Sequence, residues 1–169
     1  MTNFSLRSLA PSDADWVRGW IAEHWGAPSV VVHGVVYTPA TLPGFAAFEG
    51  ETPVGLVTYT TADQACEIVS LDSEQSGRGI GTALIDAVVA VARAAGCRRV
   101  WLITTNDNLD ALRFYQRRGF HLAAVYPNAV ALARRLKPQI PLVGDHGIPI
   151  RDEIELERPL HNNTPTRPN

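Results

Sequence analysis

Three alternating glycines, Gly77, Gly79 and Gly81, stand in the run Ser76-Gly77-Arg78-Gly79-Ile80-Gly81-Thr82, between an apolar strand pattern and a long helical one. Such a loop bares backbone N–H groups and backs them with a helix N-terminus, and both favour an anion, phosphate above all. Two familiar phosphate loops do not fit the spacing. A P-loop needs Gly-Lys-Ser/Thr after its glycines, and here Gly81 is followed by Thr82-Ala83. A dinucleotide-binding fingerprint needs a third glycine where this chain has Thr82, counting from Gly77, or Leu84, counting from Gly79. Arg78 adds a positive charge within the loop.

A second group lies further on. Asn108, Ala111 and Tyr115 fall at i, i+3 and i+7 of an expected helix over 108–118, so they share one face. The small alanine between two polar side chains leaves room for a ligand there. Glu67 and Asp72 bracket the strand that leads into the glycine loop, and each is a carboxylate able to accept a proton.

These residues need elements to hold them. Residues 4–9 alternate as a strand, and Pro11-Ser12-Asp13 supplies helix-start chemistry for a helix ending near residues 23–24. Residues 25–43 read as a variable loop with some strand at 30–37. Runs at 44–48 and 53–60 form a hairpin about residues 49–52, and 67–71 is the next strand. A helix over 82–95 stops at Gly96, a strand covers 100–104, and the 108–118 helix stops at Gly119. Strand, glycine loop, helix, strand and helix make a βαβα core. A strand at 120–126 and an insertion at 127–149, with a short helix over 129–136, precede a last strand. In that strand Ile148, Ile150, Ile154, Leu156 and Leu160 alternate with Arg151, Glu153, Glu155 and Glu157, which predicts one wet face. Residues 161–169, polar and with two prolines, are expected to be disordered.

The 169 residues, 46% hydrophobic and 19% charged, suit one domain over 1–160. A formal net charge of −2 gives no footprint for nucleic acid, and no apolar run approaches the ~20 residues that span a bilayer. Cys66 and Cys97 lack metal-site spacing, and no signal sequence precedes them, so the expectation is a cytoplasmic protein with reduced thiols and no metal.

The block Gly79-Ile80-Gly81-Thr82-Ala83-Leu84, followed by Asn108-x-x-Ala111-x-x-Phe114-Tyr115-x-x-x-Gly119-Phe120, resembles the GCN5-related N-acetyltransferase (GNAT) superfamily in content and order. The resemblance covers roughly residues 67–126 and departs at Ser76, where the family usually carries Gln or Arg. It implies an α/β fold with a mixed, mostly antiparallel central sheet flanked by helices. It also implies acetyl-coenzyme A as co-substrate, its diphosphate held by Gly77, Arg78, Gly79, Ile80, Gly81 and Thr82. Asn108 would hydrogen-bond the pantetheine or phosphate region of the coenzyme beside the space that Ala111 leaves, and Leu71 would offer a backbone amide to the thioester oxygen. By the same resemblance Tyr115 protonates the departing thiolate and Glu67 takes the proton of the amine, with Asp72 as rival. Arg113, Arg117 and Arg118 become partners for the 3′-phosphate.

The acceptor expected is a small-molecule amine. A protein lysine or N-terminus, or a non-catalytic acyl-coenzyme A sensor, are the alternatives, and a homodimer is left open. Acceptor contacts would come from the first helix, the following loop and the last hairpin, which hold Trp16, Trp20, Trp25, His33, Tyr37 and Tyr59.

Overall fold

The computed structural model describes residues 3–160, so the expectation for the tail, 161–169, lies outside the described residues. Along the chain come β1 (Ser5–Ser8), α1 (Ala14–Trp25), a small hairpin of β2 (Val30–Val32) and β3 (Val35–Tyr37), then β4 (Gly44–Glu49), β5 (Thr52–Ala62) and β6 (Ala65–Ser73). The glycine loop leads to α2 (Ile80–Ala94), followed by β7 (Arg99–Thr105), α3 (Leu109–Gln116), β8 (His121–Tyr126), α4 (Val130–Leu136) and β9 (Glu153–Pro159). Seven strands form one sheet in the order β1-β4-β5-β6-β7-β9-β8, and β2 pairs with β3 apart from it. All neighbours in the sheet are antiparallel except β6 and β7, which run parallel. The mixed, mostly antiparallel sheet flanked by helices is the one expected.

Helices cover both faces. On one side Ile80, Leu84, Ile85 and Val88 of α2 meet Val57, Cys66, Ile68, Val100 and Leu102 of the sheet, and α3 joins the same cluster through Tyr115. Each of these aliphatic side chains, fully buried, stabilises the fold by roughly 1.5–3 kcal/mol. On the other side Val17, Trp20 and Ile21 of α1 pack with Val30, Leu56 and Val69. The close seat of α2 on β5 depends on Gly55, where a Cβ would stand 2.6 Å from the Ile80 side chain.

The predicted helix start proves to be a single 3-10 turn at Pro11–Asp13, with α1 proper beginning at Ala14. Asp13 is the fastener. Its carboxylate accepts two bonds from Arg7 at 2.7 and 2.8 Å, one from the Ala10 backbone N–H at 2.7 Å and one from Trp16 Nε1 at 2.7 Å. One buried side chain therefore ties β1 to the entry of α1, and these partners hold its carboxyl well below the usual carboxylate range. The helix ends at Gly26, whose φ of 79° only glycine adopts freely.

Two features depart from expectation at the end of the chain. The last strand starts at Glu153, not near 148, because the backbone at Val143 and Pro149 bridges back on the insertion instead. The face expected to be wet is covered: Glu153 is 4% and Glu155 8% exposed. The β2–β3 turn reaches over them and rests against α4, with His33 Nδ1 3.2 Å from Glu153. Arg99 donates to Glu155 and Glu157 at 2.6 and 2.7 Å, and the Tyr126 hydroxyl donates to Glu155 at 2.6 Å. Alternation identified the two faces of the strand, but an element distant in sequence decided that the acidic one would be buried.

Replacing Asp13 with alanine is expected to cost about 2 kcal/mol near neutral pH, since it removes a cap and several charge-assisted bonds. Because the folded carboxyl titrates below its unfolded range, this stabilisation is complete above about pH 4 and disappears as pH falls through the folded value. Denaturant unfolding of Asp13→Ala and the parent at neutral and strongly acidic pH measures both parts.

Candidate functional site

β6 and β7 pair at only three registers, Ala65 with Arg99, Cys66 with Val100 and Glu67 with Trp101. Beyond Glu67 each strand continues beside its other neighbour, β6 against β5 to Ser73 and β7 against β9 to Thr105. A gap therefore opens inside the sheet. Glu74 N–H donates to the Val54 carbonyl at 3.0 Å, which marks a bonded position between β6 and β5. Counting back along the antiparallel ladder, Leu71 opposite Val57 is a non-bonded position, so its N–H and C=O point away from β5 and into the gap.

Two cavities meet there. The larger, about 640 Å³, extends from the glycine loop at Ser76, Gly77 and Gly81 to Leu71, Asp72, Ala111 and Tyr115, with Arg113, Arg117 and Arg118 on its wall. The smaller, about 130 Å³, fills the gap itself between Ile68–Asp72 of β6 and Leu102, Ile103 and Thr104 of β7. Asn108, Ala111 and Tyr115 close it on the α3 side, so the face predicted from i, i+3, i+7 spacing does line a cavity. Leu71, Asp72, Ala111 and Tyr115 border both.

The glycine loop reaches α2 through two residues in the left-handed region, Gly77 at φ 81° and Gly79 at φ 79°. Gly81 is needed for a different reason: a Cβ there would lie 2.9 Å from Phe114 Cζ, so its absence lets α3 sit against the start of α2. Other residues of the loop do other work. Ile80 is buried in the core, and Arg78 is turned to Glu49 and Gln75, away from the cavity wall. The Thr82 hydroxyl accepts from Arg118 Nε at 2.8 Å, and Arg118 also stacks over Phe114 at 3.6 Å, which presents the guanidinium at the larger cavity. Asn108 spends its carbonyl oxygen capping α3, accepting from Ala111 N–H at 3.1 Å, and keeps its amide nitrogen for other use.

Tyr115 is buried, its ring edge-on to Phe114 and Phe120 at 5.2 and 5.3 Å. Burial first, then the nearby Asp72 carboxylate, pushes its phenol above the usual value, while Arg118 opposes. Glu67 is 6% exposed and accepts a bond from the Tyr37 hydroxyl at 2.8 Å. Burial raises its carboxyl; Tyr37 and the charge of His33 counter in part. The Tyr37 phenol is pushed up to about 12, by burial and then by Glu67. Glu67 lies four residues before Leu71 and borders neither cavity. Asp72 borders both; its carboxyl is raised by burial and held by the Trp25 indole at 2.8 Å. Spacing identified Tyr115 and Asn108, but it carried no sign of the Tyr37–Glu67 or Trp25–Asp72 pairs, whose partners lie 30 and 47 residues apart.

The fold is shared with known proteins. A sequence model of the Acetyltransferase (GNAT) family matches residues 14–120, and the chain belongs to that family of N-acetyltransferases. Among its relatives is the uncharacterized protein YdhI of Bacillus subtilis (strain 168), 51% identical over 136 residues that span 80% of this chain and 85% of the relative. An IAA acetyltransferase from Bacillus cereus shares the fold at a TM-score of 0.71, with 20% identity over 93% of this chain and 99% of that one. A GNAT family acetyltransferase from Elizabethkingia anophelis, solved with acetyl-CoA bound, does so at 0.67, with 18% identity over 95% of this chain and 100% of that one. Among the described residues, no helix is long and apolar enough to cross a membrane.

The Gly81 contact is directly testable. Gly81→Val is expected to push Phe114 from its seat and to lower stability by about 1–3 kcal/mol, read as a reduced midpoint of denaturant unfolding. The same substitution at Gly19, which also lies inside a helix and meets nothing within 4 Å, provides the comparison for a β-branched residue in a helix without the clash.

Proposed function

We propose that the protein transfers the acetyl group of acetyl-coenzyme A to the primary amine of a small molecule, by direct attack within a ternary complex, and that residues 1–160 act as one domain in doing so. The observation that carries this reading is the gap between β6 and β7. It brings the free Leu71 amide and the Tyr115 side chain onto one cavity that is continuous with the glycine loop.

Backbone N–H groups over residues 77–82 would take the diphosphate, helped by the α2 N-terminus. Arg113, Arg117 and Arg118 offer positive charge to the 3′-phosphate, and the Asn108 amide and the Ala111 face flank the pantetheine. Arg78, engaged with Glu49, contributes to the loop's shape more than to the ligand.

An alkylammonium, pKa ~10.4, must lose its proton before it can attack. Glu67, raised by burial and reached directly or through water, is the group that takes it. The neutral nitrogen then adds to the thioester carbon, and the Leu71 N–H donates to the oxyanion. As that intermediate collapses, the C–S bond breaks and the thiolate takes the Tyr115 proton. A phenol raised by burial keeps that proton until negative charge appears on sulfur, whose conjugate acid has a pKa of roughly 8.5. The nitrogen, cationic after it adds, gives up its second proton through water to the Tyr115 phenolate, Glu67 releases the first to solvent, and the amide product and coenzyme A leave with no covalent enzyme intermediate required. Glu67 lies beneath Tyr37 of the β2–β3 hairpin, a covered position that suits a small amine better than a folded protein surface.

Calorimetry with acetyl-coenzyme A, followed by turnover against a panel of amines, amino acids and peptides, tests this. Folded protein that does not bind acetyl-coenzyme A refutes it, and turnover confined to peptides redirects it to a protein acceptor. Tyr115→Phe is expected to lower kcat by roughly 10²-fold or more with little change in acetyl-coenzyme A affinity.

The pH profile carries a further expectation. A base raised by burial is unprotonated only above the ordinary carboxylate range, so kcat/KM rises with pH through the folded Glu67 value. In Glu67→Gln that acid limb should vanish and the plateau fall by about 10²-fold. An unchanged limb would assign the proton to another group, with Asp72 first in line.

A further inference from the structure

The smaller cavity has a single lining residue that comes from neither the two splayed strands nor the α3 segment: Trp25, the last residue of α1. Because α3 packs on one face of the sheet and α1 on the other, this cavity passes through the sheet where β6 and β7 part, and Trp25 stands at its α1 mouth.

The indole is held from two directions. Its Nε1 donates to Asp72 Oδ2 at 2.8 Å, which fixes the ring toward β6. The main-chain carbonyl of Trp25 accepts from Lys137 Nζ at 2.7 Å, and the same ammonium donates to the Ser29 carbonyl at 3.2 Å. Lys137 is 8% exposed and, among the described residues, forms no ion pair. A buried ammonium satisfied only by backbone carbonyls at the end of α1 is a costly arrangement unless the position of that end matters. Lys137 thus latches the insertion helix α4 to the residue at the cavity mouth.

We propose that Trp25 limits the acyl chain this enzyme accepts, with Asp72 and Lys137 as its positioning residues. The inference rests on the acetyl-coenzyme A reading above. At about 130 Å³, against about 640 Å³ for the cavity it joins, the smaller cavity is the narrow part of the site. A thioester whose oxygen lies at the Leu71 amide has its acyl group in this space, and methylenes beyond the acetyl methyl would run toward the Trp25 indole that lines it. The acceptor then reaches the thioester along the ring's outer edge, which is exposed to solvent, from the side where Glu67 lies.

Calorimetric titration with acetyl-, butyryl- and hexanoyl-coenzyme A tests the limit without knowledge of the acceptor. The parent protein is expected to bind hexanoyl-coenzyme A at least ~10-fold more weakly than acetyl-coenzyme A, the scale on which an apolar pocket rejects added methylenes. Trp25→Ala should bring the two affinities close to equal, and Lys137→Met, whose own side chain lines neither cavity, should narrow the ratio in the same direction. If Trp25→Ala does not fold, Trp25→Leu serves the same comparison. Equal binding of the two thioesters by the parent, or an unchanged ratio in a folded Trp25 variant, overturns the proposal. A parent that binds none of the thioesters overturns the acetyl-coenzyme A reading itself, and the chain-length limit falls with it.

Discussion

The site depends on one constraint, the competition for β6 and β7 between each other and their outer neighbours. β6 is paired with β5 along its length and β7 with β9 along its length, while the two share only three parallel registers. Past Glu67 both antiparallel sets are kept and the parallel set, the weaker per residue, gives way. The gap leaves backbone groups of β6 without strand partners. Such groups are costly when buried unpaired, and a site that offers them to a ligand turns that cost to use.

Much else follows from keeping the gap open at one end. α2 must start close to β5, which Gly55 permits, and α3 must lie close to the start of α2, which Gly81 permits. Those two contacts bring Tyr115 and the glycine loop to one cavity wall. Larger side chains at either glycine would separate the helix N-terminus from the phenol. The site is therefore built by packing on the α2–α3 side, where the cluster is almost wholly apolar.

The opposite face sets buried charge beside its apolar α1 cluster. Glu67, Glu153 and Glu155 are buried there under the β2–β3 hairpin and α4, and their compensation is uneven: Glu155 meets Arg99 and Tyr126, but Glu67, among the described residues, accepts a single hydrogen bond, from Tyr37, with the charge of His33 nearby. A carboxylate with so little compensation titrates high, a property suited to a base and unhelpful to stability. Asp13, with four hydrogen bonds, two of them from an arginine, shows the contrary case in the same molecule.

The order of elements, the loop between β6 and α2, and the shared face of Asn108, Ala111 and Tyr115 could all be read in the sequence, because each rests on local rules: helix and strand periods, glycine at positive φ, and side chains three or four residues apart on one helix face. The fold class followed from those elements in their order. What lay beyond local rules was decided by contacts between distant segments. Burial of the acidic face of β9, the Tyr37 hydroxyl on Glu67, the turning of Arg78 to Glu49 and the arrival of Trp25 at Asp72 join residues tens of positions apart. The spacing of a sequence carries the period of an element and not which face another element will cover, so the motif determined where chemistry could occur, and only the tertiary structure decided how deeply each charge was buried and how large a space was left beside it.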